Sequence, residues 1–118
     1  MELVINNFLS VITDFNIKTN KVENKVIINS EIRFVDGSKL NVYISDNKIS
    51  IKHKYSFHWQ NTDNQMTIRW DNAPHHPNIS TFPHHKHIET DLNVHPSTEN
   101  TLHDVLTFIS QKVIASAL

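Results

Sequence analysis

Residues 48–71 read KISIKHKYSFHWQNTDNQMTIRWD, and their alternation points to the class of fold. Ile49, Ile51, His53, Tyr55, Phe57 and Trp59 share one parity, while Lys48, Ser50, Lys52, Lys54, Ser56 and His58 share the other. A period of two is the signature of a strand with one buried face. The polar tip Asn61-Thr62-Asp63-Asn64 turns the chain, and Met66, Ile68 and Trp70 then alternate with Thr67, Arg69 and Asp71. The apolar faces match when Trp59 stands opposite Met66 and Phe57 opposite Ile68. That register sets Lys54 against Asp71, Ser56 against Arg69 and His58 against Thr67. His58 and Arg69 then become diagonal neighbours on the polar face.

The same period extends upstream. Ile28, Ile32 and Phe34 lie on one face, Asp36-Gly37 marks a turn, and Leu40, Val42 and Ile44 return. Matching the faces pairs Phe34 with Leu40 and Ile32 with Val42 through a loop of odd length. Nearer the start, Val4, Phe8, Val11, Ile12 and Phe15 follow helical spacing and predict an amphipathic helix over residues 3–15. Downstream, Pro74, Pro77 and Pro83 exclude helix and central strand from residues 72–83. Residues 86–89 read as a short edge strand. Thr101 is a good helix N-cap with Asp104 at the N3 position, ahead of a stripe of Leu102, Val105, Leu106, Ile109 and Val113. The expectation is a single α+β domain over residues 1–118. It has an antiparallel meander sheet of four to five strands, with N- and C-terminal helices packed on one face.

Bulk composition narrows the functions available. A chain of 118 residues suits one domain, and its formal charge of −1 argues against gripping nucleic acid through overall charge. The absence of cysteine excludes disulfides, thiolate metal sites and a cysteine nucleophile. A single glycine excludes Walker and Rossmann phosphate loops. Glu2 and the polar Asn6, Asn7 and Asp14 do not make a signal peptide, and no apolar run is long enough for a membrane helix, so a cytoplasmic protein is expected.

The chemistry is concentrated in residues 55–87, which hold six of the nine histidines, both tryptophans and three of the four prolines. Four motifs occur in order: YxxHW at 55–59, RWDNAPHHP at 69–77, STFPHHKH at 80–87 and PSxExTLxDVLxFI at 96–109. This order resembles the TumE family of toxin–antitoxin proteins, well over roughly residues 50–112 and only in general character before residue 45. The resemblance implies a toxin with an antitoxin partner, typically a helix-turn-helix protein encoded beside it. It carries over His58, Arg69, Asp71, Asn72, His75, His76, Pro83, His84, His85, Lys86 and His87 as family-typical positions, without assigning them a reaction.

Their chemistry suits metal-independent cleavage of RNA. One imidazole takes the 2′-hydroxyl proton, another protonates the leaving 5′-oxygen, and a cation stabilises charge at phosphorus. On this reading His58, Arg69, Asp71, His75, His76, His84, His85, Lys86 and His87 form the catalytic set. Lys52, Lys54 and Asn72 bind substrate. A first alternative is a hydrolase or nuclease using zinc or another divalent metal on Asp71, His75, His85 and His87, because His85-x-His87 presents two imidazoles on one face of a strand. A second alternative is a non-catalytic module that binds the antitoxin; a homodimer is left open.

Plainer accounts stand beside each of these. Asp71-Asn72 suits a turn whose side chain closes on backbone N–H groups. His53 falls on the apolar face and reads as a hydrogen-bonded core residue. Trp59 and Trp70 suit core packing, His95 and His103 the surface, and Lys52 and Lys54 a solvated strand face.

Overall fold

In a computed structural model that describes residues 1–117, the alternating segments pair edge to edge in chain order. The strands are β1 (Ile12–Val22), β2 (Lys25–Phe34), β3 (Lys39–Asn47), β4 (His53–Gln60), β5 (Met66–Asp71), β6 (His85–Ile88) and β7 (Val94–Pro96). Every neighbouring pair is antiparallel, and the sheet runs β1 to β7 without a crossover. α1 (Glu2–Asn6) precedes the sheet and α2 (Leu102–Ala117) follows it.

The α+β meander agrees with the expectation, but the sheet has seven strands rather than four or five. One additional strand is β1, whose first four residues fall within the expected first helix. The helical pattern instead breaks into the five residues of α1 and a 3-10 turn at Leu9–Val11. Helix nucleation is costly, and Asn6, Asn7, Thr13 and Asp14 are poor helix formers. Pairing with β2 wins from Ile12 onward, and Phe15 and Ile17 still reach the core by alternation. The other additional strand, β7, makes β6 an interior strand rather than an edge.

Two registers differ from expectation by two residues. In the first, Ile32 pairs with Leu40, and Gly37 at φ 87° closes a tight three-residue loop after Phe34. In the second, Trp59 pairs with Ile68 and Phe57 with Trp70, because a bulge between Trp59 and Gln60 absorbs one residue near the hairpin tip. A shift of two leaves every side chain on its expected face. It does bring His58 directly opposite Arg69, and Ser56 opposite Asp71.

The start of the long central strand is also corrected. Ile49 and Ile51 are 73% and 89% exposed, and they belong to a turn in which Asn47 Oδ1 accepts from the Ile49 and Ser50 N–H groups. His53, expected in the core, is exposed and its ring is paired with Asp46.

One face of the sheet packs on the helices. Leu102, Val105, Leu106, Ile109 and Val113 of α2 are all buried against a wall that includes Phe57, Trp59 and Trp70. Phe108 meets Trp59 and Trp70 edge-on at centroid distances of 6.3 and 5.8 Å. Thr101 Oγ1 accepts from the Asp104 N–H, and Asp104 Oδ2 accepts from the Asn100 N–H, so the helix start is capped from both sides. Ser56, His58, Arg69, Asp71, His85 and His87 have the opposite parity and project from the other face.

Candidate functional site

Strand pairing alone builds two cross-strand rows on the face away from the helices. His58, Arg69 and His87 form one row, and Ser56, Asp71 and His85 form the next. Neighbouring side chains in such rows stand about 5 Å apart, close enough to interact directly. The proline-rich loop over residues 72–84 then turns back and brings His76 onto the cluster. The His76 ring centroid lies 4.8 Å from that of His85 and 5.7 Å from that of His87, and the last two are 4.9 Å apart.

Hydrogen bonds fix how these rings are oriented. His85 Nδ1 donates to the Pro83 carbonyl and His87 Nδ1 to the Asp91 carbonyl, each at 2.9 Å. A carbonyl oxygen only accepts, so both Nδ1 atoms carry hydrogen and both Nε2 atoms turn inward. There they meet one carboxylate. Asp71 Oδ1 is 3.0 Å from His85 Nε2, and Oδ2 is 3.5 Å from His87 Nε2. Arg69 completes the surroundings, with Nε 3.5 Å from Asp71 Oδ2 and Nη1 2.8 Å from Asp91 Oδ1. Asp71 also serves the turn, since Oδ1 accepts from the Ala73 N–H at 3.0 Å.

Burial bears on the charge of His87. His85 and His87 are only 2% and 4% exposed. Loss of hydration pushes His87 below the ordinary histidine value, with the Arg69 and His85 charges acting the same way. The hydrogen bond to Asp91 and the charge of Asp71 oppose the shift without reversing it. His87 is therefore neutral at pH 7, and its inward Nε2 is a lone pair. One donor atom from each of His76, His85 and His87 lies within 4.8 Å of the other two, a spacing that could hold a metal ion.

Beside the cluster lies a cavity of about 450 Å³. Of the expected site residues it gathers Lys54, Arg69, Asp71, Asn72, His75, His76, His85 and His87. His76, not His75, stands against His85 and His87; His75 is exposed at the rim. Asn72 is engaged structurally. Its Oδ1 accepts from the Tyr55 N–H and its Nδ2 donates to the His53 carbonyl, which continues the β4–β5 pairing beyond the strand end.

Four expected residues lie elsewhere. His58 is on the correct face but does not line the cavity, and its Nε2 is buried without a partner. Burial lowers its pKa, with Arg69 and Lys39 adding to the effect against Asp91. Lys52 lines a separate depression. Lys86 alternates away from His85 and His87 onto the helix side, where its Nζ donates to Glu99 Oε1 at 3.2 Å and lies 5.9 Å from the Phe108 ring centroid. His84 Nδ1 and the Tyr55 hydroxyl are hydrogen-bonded at 2.7 Å, and burial followed by the charges of Asp71 and Asp104 raises the phenol pKa so that it keeps its proton.

Sequence reasoning missed two residues. Tyr43 lines the cavity and was legible by its parity in β3, opposite Val42. Asp91 left no signal, because it sits in an irregular turn and acts through a backbone carbonyl as well as its carboxylate.

A family model described as Toxin TumE matches residues 1–113. No curated protein and no solved structure matches.

Proposed function

The chain belongs to the TumE toxin family, which implies an antitoxin partner, and from that premise we propose that it acts by endonucleolytic cleavage of RNA in the cavity beside Asp71. One observation carries this reading: His76, His85 and His87 converge with Asp71 at a cavity whose wall also holds Lys54 and Arg69. Imidazoles beside cationic side chains suit acid–base cleavage of a phosphodiester. The ribose 2′-oxygen forms a bond to phosphorus as the bond from phosphorus to the 5′-oxygen breaks. The 2′-hydroxyl proton goes to a base of the cluster, and an acid returns a proton to the departing oxygen. Lys54 and Arg69 face the phosphoryl oxygens. Imidazoles can make both transfers unaided, the metal-independent route expected from the sequence, or a cation held among them can lower the pKa of the hydroxyl.

The same proposal has a helix-turn-helix antitoxin as partner and the cytoplasm as the place of action. Among the described residues no helix is long and apolar enough to cross a membrane.

Expression of the wild type without antitoxin is expected to arrest growth and to leave RNA fragments with 2′,3′-cyclic phosphate ends. His87→Gln is expected to slow cleavage by about 10²-fold or more, with unchanged circular dichroism. Intact RNA in arrested cells would refute cleavage. Tight binding of the neighbouring helix-turn-helix protein without any RNA change would leave the non-catalytic module in its place.

A further inference from the structure

We propose that His76, His85 and His87, together with Asp71, bind one divalent transition-metal ion of the zinc class. As a cofactor for RNA cleavage this rests on the reading above; as a binding site it stands on geometry alone. The donor atoms of the three histidines already lie within 4.8 Å of one another, and Asp71 oxygens stand 3.0 and 3.5 Å from two of them. Around a tetrahedral ion with bonds of about 2.0–2.1 Å, neighbouring donors stand roughly 3.3 Å apart. The three imidazole donors would therefore close by up to about 1.5 Å around an ion, and Asp71, which stands outside that group of three, would swing in from His85 and His87 to complete the shell.

Ring orientation supports the same conclusion. The three rings meet at interplanar angles of 68°, 69° and 80°, an edge-to-face arrangement suited to aiming nitrogens at a shared point. His85 and His87 each anchor Nδ1–H on a backbone carbonyl. That outer hydrogen bond is how proteins fix the tautomer and direction of a metal-binding imidazole. Without a cation, two inward Nε2 atoms oppose one carboxylate, and a single extra proton satisfies only one of them. A metal ion satisfies both imidazoles and the carboxylate at once. Imidazole nitrogen with one carboxylate favours zinc and its neighbours over magnesium or calcium, which prefer oxygen. The adjoining cavity leaves room beside the ion for a phosphoryl oxygen, which a bound metal would polarise.

The sequence pointed to Asp71, His75, His85 and His87; the structure replaces His75 with His76. The difference follows from the loop. His75 is exposed at the rim, whereas the half-buried His76 ring turns back over the strand pair.

The test uses full-length protein without a histidine tag, stripped with EDTA and titrated with zinc or magnesium chloride under calorimetry and native mass spectrometry. One zinc per chain, no magnesium binding, and a rise in melting temperature with zinc are expected. His76→Gln and His85→Asn should each weaken zinc binding by about tenfold or more. His53→Ala and His95→Ala should leave it unchanged. His76 sits on a loop outside the core, so His76→Gln remains informative if His85→Asn fails to fold. The inference is overturned if the wild type binds no zinc, if His76→Gln binds it like wild type, or if binding is lost with His53 or His95. RNA cleavage is assayed separately. Zinc binding without cleavage removes the RNA reading and keeps the metal site; cleavage by a protein that binds no zinc does the reverse.

Discussion

Asp71 has two roles that are usually weighed against each other. Its Oδ1 closes a turn on the Ala73 N–H and also faces His85, while Oδ2 faces His87 and Arg69. His58 shows the opposite outcome, since it shares the polar face yet its Nε2 is shut away unpartnered. Burial, Arg69 and Lys39 lower its folded pKa, so the unfolded chain takes up protons first as pH falls. Stability should therefore be present above the unfolded value of about 6.5 and be lost as pH drops through the folded value. His58→Leu is expected to flatten that decline, measured as urea midpoints between about pH 8 and pH 5; the lowered His87 keeps part of the slope in both proteins. An unchanged slope would exclude His58 as a titrating group. Lys86 belongs to the helix face, so Lys86→Met should cost stability on the order of 1–3 kcal/mol rather than toxicity. Burial alone would raise the Glu99 pKa, but the hydrogen bond and charge of Lys86, with Thr98, hold it below the ordinary value. That contribution is present above the unfolded carboxylate value and disappears as pH falls, so the Lys86→Met deficit should shrink toward about pH 3.

At the scale of elements, β6 shows how alternation divides a motif. PHHKH reads as one basic-imidazole cluster, but only His85 and His87 point to the cavity, while His84 and Lys86 bond to Tyr55 and Glu99 on the other side. The β2–β3 turn depends on the only glycine in the chain. Gly37 sits at φ 87°, and a methyl group there would meet Thr62 Cγ2 at 2.8 Å. Gly37→Ala is expected to destabilise the fold by more than about 1 kcal/mol, read from the midpoint of denaturant unfolding. A variant as stable as wild type would mean that the turn and its Thr62 contact relax freely. The β4–β5 bulge bears on the candidate site. It moves the pairing by one residue between Gln60 and Trp59, beyond which His58, Arg69 and His87 stand in one row.

For the molecule as a whole, the sheet separates packing from the candidate site: α2 covers one face, and Asp71, His85 and His87 project from the other. Ending the chain after Asn100 would expose Phe57, Trp59 and Trp70 on the helix face. That truncation should abolish the cooperative unfolding transition and bind a hydrophobic dye, whereas His87→Gln should keep the transition. A cooperative transition surviving without α2 would show that the sheet folds alone. Much of this division was legible in the chain. The parity of residues 53–60 and 66–71 assigns faces, and the stripe from Leu102 to Val113 identifies the covering helix, because apolar burial imprints its own period. Strand β1 was not legible, since Val4 to Phe15 fits a helical period as well as it fits a turn leading into a strand. The exclusion of Lys86 followed from parity once β6 was paired, but parity cannot say which loop residue closes a site. The sequence by itself determined the faces of the paired stretches from Tyr55 to Trp59 and from Met66 to Asp71, and that histidines crowd the segment around Asp71. Only the tertiary structure decided the bulged register, that His76 rather than His75 stands against His85 and His87, and that the Asp91 carbonyl meets His87. Those depend on where a loop packs and which backbone carbonyl meets a ring nitrogen, and neither leaves a periodic trace in residue order.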